Sequence, residues 1–343
     1  LFVTSSGLPE RNQFLRKKRA EQRMSGILKK LNAYFDHSRE VKWKQLNTGS
    51  ARQLDFSCNF SKSRYLETAQ KALDYIADVE IYQVNLSQRF QFGFEGGLLD
   101  PLSLYGTLRN ISPSPFGGYV DGGNFQLLSN SPERFLHLNN GIVQSRPMKG
   151  TRHRANDELH DHVLREELLN SAKEKAELLM ITDLLRNDLG RVCDYGSVSV
   201  KEMRALEEYA YVFQTTATVE GVLNKNKDCF DLMKACFPGG SITGCPKIRA
   251  MEIIEELEPT RRGMYTGSLG YINFSGNMDF NILIRTLLAY RNKLYFQVGG
   301  GIVADSTPEN EYHETLVKAQ ALRDCLEAHF SKKVYVSESK VKV

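Results

Sequence analysis

The chain has 343 residues, 41% of them hydrophobic and 25% charged, the composition of a folded globular protein and not of a disordered or low-complexity one. Forty-five Lys and Arg against forty-one Asp and Glu leave a formal charge of +4, too small to argue for nucleic acid as a partner. No run approaches the roughly 20 apolar residues of a membrane-spanning helix, and the front lacks the layout of a signal peptide, so a soluble, cytoplasmic protein is expected.

Residues 1–60 read as a remnant of an amino-terminal region with a connecting helix. LFVTSSGLPERN looks like a strand and turn inside a domain, so the natural chain is expected to begin earlier. Residues 11–36 are charged and helix-like. Their basic stretch Arg16–Arg19 (RKKR) is better explained as a solvated helix face than as a nucleic-acid or membrane patch. Residues 37–60 are polar and weakly patterned, as a linker would be.

From Lys62 the texture changes. A helix over Ser63–Ala77 leads into strands at Gln83–Phe92, Phe116–Val120, Phe125–Ser129, Arg134–Leu138 and Gly141–Ser145, several joined by Gly or Asn turns. Leu164, Leu168, Ala172, Leu179 and Leu185 recur at helical spacing and predict one long helix from about Asp161 to Leu185. Strands follow near Val198 and Thr215, then a helix over Pro246–Leu257. Strands at Tyr265–Phe274, Phe280–Tyr290 and Lys293–Val298 precede a last helix from Pro308, and residues 331–343 form a tail. Antiparallel hairpins separated by helices, without alternating βαβ units, argue for an α+β fold. Cys58, Cys193, Cys229, Cys236, Cys245 and Cys325 show no CxxC pair and no zinc spacing, and read as free thiols.

Several residue patterns carry chemistry. Glu174 and Glu177 lie three apart on the long helix and share a face, and Glu311 and Glu314 repeat that spacing on the last one. If the helices meet, four carboxylates converge and a hard divalent cation such as Mg2+ relieves their repulsion. Solvated faces beside Lys173, Lys175 or Lys318 are the alternative.

The strand QVGGGIVADS runs into Gly299, Gly300 and Gly301, where close backbone approach and unusual dihedrals would let N–H groups face a carboxylate, or simply make a tight turn. Arg285 interrupts the apolar strand NILIRTLLAY and needs an anionic partner, either a structural acid or a substrate carboxylate. PGGSITGCPK lacks the GxxxxGK[ST] spacing of a nucleotide loop, leaving Ser241 and Thr243 as hydroxyl donors to a small ligand. SPERF and RPMKGTRHR place Glu133 and Lys149 at the ends of neighbouring strands, where an acid and an amine could serve one pocket.

The ordered set SPERF, RPMKGTRHR, SAKEKAELLMITDLLRNDLGRV, FPGGSITGCPKIRAMEIIEELEP, RRGMYTGSLGYI, GNMDFNILIRTLL and GGGIVADSTPENEYHET closely resembles the chorismate-utilising enzymes, from about Ser63 to Leu326. The resemblance implies two facing β-sheets with helices packed outside, and a chorismate-binding catalytic domain over residues 61–330. It implies magnesium held by Glu177 and Glu314 with support from Glu174 and Glu311. Tyr265, Arg285 and the backbone of Gly300 and Gly301 would hold the substrate's carboxylates, with Ser241 and Thr243 nearby and Glu133 as general acid.

Within that family, the residue before the Gly-Thr of this motif separates the chemistries. The lysine found here, Lys149, resembles the aminodeoxychorismate synthase branch, whereas a small alanine marks anthranilate and salicylate synthases. The implied partners are chorismate and a glutaminase subunit supplying ammonia, and the implied path is covalent through Lys149. Anthranilate synthase component I and a non-catalytic chorismate-binding fragment remain the alternatives. One departure is Gln214, where many relatives carry histidine.

Overall fold

The computed structural model describes residues 4–37, 56–94, 99–155, 157–208 and 212–330. The linker expected at 37–60 and the tail expected at 331–343 therefore lie largely or wholly outside the described residues. Residues 1–49 and 50–343 form separate compact units. The first contributes helix α1 (Gln13–His37), in which the whole RKKR stretch Arg16–Arg19 is exposed.

The second unit holds two antiparallel sheets of seven strands each. Strands β1 (Ser57–Cys58), β2 (Gln83–Gly93), β3 (Phe116–Asp121), β4 (Phe125–Ser131), β10 (Gly244–Cys245), β13 (Thr286–Tyr290) and β14 (Lys293–Ile302) build sheet A, in the order β1-β2-β14-β13-β4-β3 with β10 beside β2. Strands β5 (Arg134–Asn139), β6 (Ile142–Arg146), β7 (Met148–His153), β8 (Ser199–Glu208), β9 (Val212–Val222), β11 (Gly270–Ile272) and β12 (Met278–Asn281) build sheet B. Its order is β11-β12-β5-β6-β9-β7, with β8 on the other edge of β9. Long β9 accepts β6 and then β7 along the same edge, so the chain bends at Pro147 and continues.

Helices cover the sheets: α5 (Ala172–Gly190) packs on β7, β8 and β9, and α8 (Pro308–Phe330) on β14 with α2 (Lys62–Ala77) and α3 (Pro101–Ile111) beside it. Helix α4 (Glu158–Asn170) leans on β7 and β9, α6 (Cys229–Cys236) on α5, and α7 (Lys247–Leu257) on β2. Three apolar clusters follow from this layering. Phe135, Leu136, Ile181, Leu185 and Val219 join sheet B to α5. Leu104, Leu128, Leu287, Phe296 and Leu322 join sheet A to α3 and α8. Tyr65, Val84, Ile253 and Ile302 seal α2 and α7 against β2 and β14. The α+β class and the two sheets are as the sequence leads one to expect.

Four local expectations are corrected. The single helix over 161–185 is two helices, because Ser171 accepts from the Glu174 amide as N-cap of α5 while Arg204 donates to the Leu168 carbonyl at the end of α4. The buried stripe of α5 is Leu178, Ile181, Leu185 and Leu189, and Leu179 faces out at 53% exposure. Phe280–Tyr290 is not one strand. Ile282–Arg285 leave the ladder and carry the chain from β12 in sheet B to β13 in sheet A, with Arg285 at φ +50°. Of Tyr265–Phe274 only Gly270–Ile272 is strand, since Tyr265 and Gly267 close turns onto Arg262 and Met264.

The α5–sheet B interface yields a direct comparison. Leu136→Ala removes a fully buried side chain and is expected to cost about 2–5 kcal/mol, whereas Leu179→Ala, on the exposed face, should stay within about 0.5 kcal/mol of the parent in urea denaturation.

Candidate active site

Lys149 lies on β7 directly before Gly150, where the register of β7 against β9 slips by a bulge. Gly150 has φ +77°, and a Cβ there would come within 2.2 Å of a Glu174 carboxylate oxygen, so only glycine fits this bend beside α5. The bulge aims the Lys149 amine toward sheet A. Its Nζ stands 3.1 Å from Glu177 Oε2 and 3.1 Å from where a side chain on Gly301 would begin.

Sheet A can come this close because Gly299, Gly300 and Gly301 present no side chains. They are ordinary ladder residues opposite Ser87, Leu86 and Asn85, and none has a positive φ, so the expectation of unusual dihedrals and of a tight turn is corrected. The requirement is space. A Cβ on Gly300 would meet Glu311 Oε2 at 2.9 Å and Glu314 Oε1 at 3.6 Å, and one on Gly301 would meet Gln83 Nε2 at 2.7 Å.

The two acidic pairs do approach each other, but lysines stand among them. Lys173 lies 4.0 Å from Glu177 Oε1 and 3.6 Å from Glu311 Oε1, bridging α5 and α8. Lys318 is 2.6 Å from Glu314 and also donates to the Gly299 carbonyl at 2.9 Å. Arg152 holds Glu174 at 2.8 Å. Among the described residues no three acidic, His or Cys side chains form a ready-made metal shell, so a bare four-carboxylate cluster is corrected to an interleaved one. Burial raises the pKa of Glu311 and the charge of Glu314 adds to this, against a 2.6 Å hydrogen bond from Ser306. Burial also opposes the charge of Glu314, but Lys318, Lys149 and Lys173 outweigh it and hold that carboxyl low.

Glu133 sits at the entry to β5, 4% exposed. Burial pushes its pKa up to about 7, offset in part by a 2.7 Å hydrogen bond from Ser241, the positive charges of Lys149 and Lys318, and the Met148 amide. The bend at Pro147 thus brings the acid at the head of β5 into the electrostatic range of the amine on β7.

The remaining expected residues are placed differently. The Ser241 hydroxyl donates to Glu133 and the Thr243 hydroxyl to the Gly239 carbonyl at 2.9 Å, so both hydrogens are committed within the protein rather than held for a ligand. Gln214 donates to Thr151 at 3.3 Å, and its buried Oε1 has no partner. Arg285 makes no ion pair or hydrogen bond through its side chain among the described residues, although burial lowers its pKa. The structural acid weighed as its partner is therefore not found there. Tyr265 lies beneath the Arg262 guanidinium, 5.7 Å from ring centroid to Cζ, and burial raises its phenol pKa.

Sequence reasoning missed Gln83, wholly buried with both amide atoms unpartnered, and Asn85, whose Oδ1 is also unpartnered. An unpaired buried amide costs on the order of 1–3 kcal/mol, which was the available signal only once burial was known. In sequence Lys173 reads only as a neighbour on a solvated face, since its place between two acidic helices needs the tertiary fold.

Chemically, the seam where Lys149 meets Gly301, with Glu133 raised to about 7, the interleaved lysines and the unpaired amides of Gln83 and Asn85, suits a small anionic ligand. The comparisons agree. The family of chorismate binding enzymes matches residues 9–324, and this chain belongs to that family. It is 45% identical over 269 residues to anthranilate synthase component 1 of Aquifex aeolicus, covering 78% of this chain and 54% of that one. It is 43% identical over 272 residues to aminodeoxychorismate synthase component 1 of Bacillus subtilis, covering 79% and 57%. The chain thus spans little more than half the length of these relatives. Among solved structures, anthranilate synthase component I from Streptococcus pneumoniae superposes with a TM-score of 0.78 at 34% identity, covering 92% of this chain and 67% of that one.

Two outcomes test the geometry. Gly150→Ala strains a positive φ and strikes Glu174, so it should displace Lys149 and lose most catalytic activity, read by steady-state assay, while the folded baseline in circular dichroism persists. For Glu133, folded and unfolded chains are both protonated well below pH 4.5, and only the unfolded chain ionises between there and about 7. Its contribution to stability is present at low pH and lost as pH rises through about 7. Glu133→Gln should remove that decline, so denaturation curves of parent and variant should diverge between pH 4.5 and 7 in the variant's favour.

Proposed function

We propose that this chain is the synthase component of an aminodeoxychorismate synthase, exchanging the ring hydroxyl of chorismate for an amino group on the way to 4-aminobenzoate and folate. The observation that carries the reading is Lys149. Its amine lies at the seam of the two sheets, 3.1 Å from Glu177 and against Gly301, with a buried Glu133 able to hold a proton near neutral pH. Overall identity does not separate the two chemistries, since relatives named for either match at 43–45%.

In the proposed path the Lys149 amine, once deprotonated, adds to ring carbon 2, the double bond shifts, and the carbon 4 hydroxyl leaves as water with the Glu133 proton. Ammonia then adds at carbon 4, the double bond shifts back, and lysine departs from carbon 2 with a proton that ammonia gives up. Two allylic displacements replace one awkward substitution, and the enolpyruvyl group stays in place. Arg285, without a side-chain partner among the described residues, and Tyr265 suit the substrate's carboxylates.

The donor set also fits magnesium. Its ligands are hard oxygens, and the buried Glu311 Oε2 and Glu174 Oε2 have no hydrogen-bond partner. Glu177 and Glu314 would hold the ion with Glu174 and Glu311 in support, which requires Lys149 and Lys173 to give up Glu177 and Lys318 to give up Glu314. When bound, the ion would neutralise a substrate carboxylate. Ammonia would come from a glutaminase subunit, and the locale is expected to be the cytoplasm. The described residues contain no helix long and apolar enough to cross a membrane.

Incubation with chorismate, ammonium and magnesium should give aminodeoxychorismate by mass spectrometry and chromatography; anthranilate and pyruvate instead would favour the anthranilate synthase reading. Lys149→Ala should lower aminodeoxychorismate synthesis by about a thousandfold, and enzyme quenched without ammonia should carry a chorismate-derived adduct on the Lys149 peptide. A near-parental rate in Lys149→Ala with no adduct would refute the covalent path. Glu314→Gln should abolish turnover without unfolding the protein, and full activity at limiting magnesium would remove it from the ligand set.

A further inference from the structure

The Arg262 side chain is 12% exposed and spends its donors on three separate segments. Nε and Nη2 engage Glu258 at 2.7–3.2 Å, Nη2 donates to the Asn85 carbonyl at 2.6 Å, and Nη1 to the Ile242 carbonyl at 2.7 Å. Its plane covers the Tyr265 ring, and its own carbonyl accepts from the Tyr265 amide at 3.2 Å. Glu258, just past α7 and 9% exposed, accepts in addition from the Ser87 amide and hydroxyl at 2.8 Å. Burial disfavours the Arg262 charge, and the attraction of Glu258 outweighs it.

Two of the segments held this way border the site. Ile242 lies between Ser241, bonded to Glu133, and Thr243, whose carbonyl takes the Asn85 amide at 2.7 Å. Asn85 stands opposite Gly301 in the ladder, its side-chain oxygen unpartnered and its neighbour Gln83 likewise open. Tyr265, under the guanidinium and bonded through its amide to the Arg262 carbonyl, joins them. One guanidinium therefore ties loop 239–245, strand β2 and the Tyr265 turn into a single frame whose unpaired polar atoms face no protein partner.

We propose that Arg262, clamped by Glu258, is the positioning residue that sets the pocket for the substrate's carboxylates, an inference that rests on the chorismate reading above. A lysine keeps the charge but has no planar fork to reach a carboxylate and two carbonyls on different segments. Asp188–Lys247, at 2.5 Å and with matching side-chain exposures of 3% and 12%, ties α5 to α7 and serves as an equally buried control.

The test compares Arg262→Lys and Glu258→Gln with Asp188→Asn by melting temperature, by amide hydrogen exchange without ligand, and by chorismate binding with magnesium and no ammonium. Arg262→Lys should speed exchange at 242–243 and 265–267 together and weaken chorismate binding by about tenfold or more. Asp188→Asn should lower the melting temperature while leaving binding and both segments unchanged. Parental exchange and affinity in Arg262→Lys, or equal weakening in Asp188→Asn, would overturn the proposal. Should Arg262→Lys not fold, Glu258→Gln carries the same comparison. If the parent chain binds no chorismate, the functional reading fails, and the exchange measurement still decides whether Arg262 fixes the frame.

Discussion

There is no room for a methyl group at Gly300 or Gly301. Sheet A reaches the charged groups of sheet B and α8 only because β14 drops its side chains for three residues, and the Lys149 amine and the Glu311 and Glu314 carboxylates crowd into the space released. Ladder partner β13 starts only at Thr286, after Arg285 has turned the chain between sheets, so this stretch of β14 is paired to β2 alone. The glycines are thus neither a turn nor a flexible hinge. They are the thin part of a wall, and the placement of amine, acid and carboxylates depends on that thinness.

Bringing like charges together in a half-buried space is unfavourable unless opposite charges are interleaved. The chain supplies them from the same helices that carry the acids: Lys173 is one residue before Glu174, and Lys318 lies one turn after Glu314. Glu314, beside three lysines, is held ionised, whereas Glu311, more deeply buried and dependent on Ser306, is pushed the other way. Glu133 is set apart from both, in a dry position with a single hydroxyl donor close by. Similar carboxyls are thereby given different proton affinities by environment, which is the arrangement that divides acid work from cation work.

Much of this was legible from local chemistry. The α+β class, most strands and the spacing of Glu174, Glu177, Glu311 and Glu314 follow from periodicity, because period two and period 3.6 survive any tertiary context. Missing helices α3 and α6 had readable signals in Asp100-Pro101 and in the Asp228–Asp231 capping box, which were overlooked. The break at Ser171 was less accessible, since an Asn-Ser step within an unbroken helical pattern becomes a cap only when Arg204 reaches the freed carbonyls. Ile282–Arg285 could not be told from strand, because a mostly apolar crossover, buried at Ile282 and Leu283, has the same composition as a central β-strand. What lies wholly outside a one-dimensional reading is which lysine faces which glutamate, and that Gln83 and Asn85 are left unpaired.

The specificity argument comes down to how one position is presented. A lysine before Gly150 acts on a ligand only if the strand turns its side chain inward, and the bulge against β9 does this at a glycine that Glu174 closes over. A side chain at that bend would push on Glu174 and hence on the helix that also carries Glu177, the amine's own counter-ion. The amine proposed as nucleophile and the carboxylates proposed as cation ligands are therefore mechanically joined through α5. A small residue in place of Lys149 leaves that linkage and the glycine wall intact while emptying the space beside Gly301. On the proposed reading, one position would then separate addition at one ring carbon from addition at another in a scaffold of the same overall identity to relatives named for either activity.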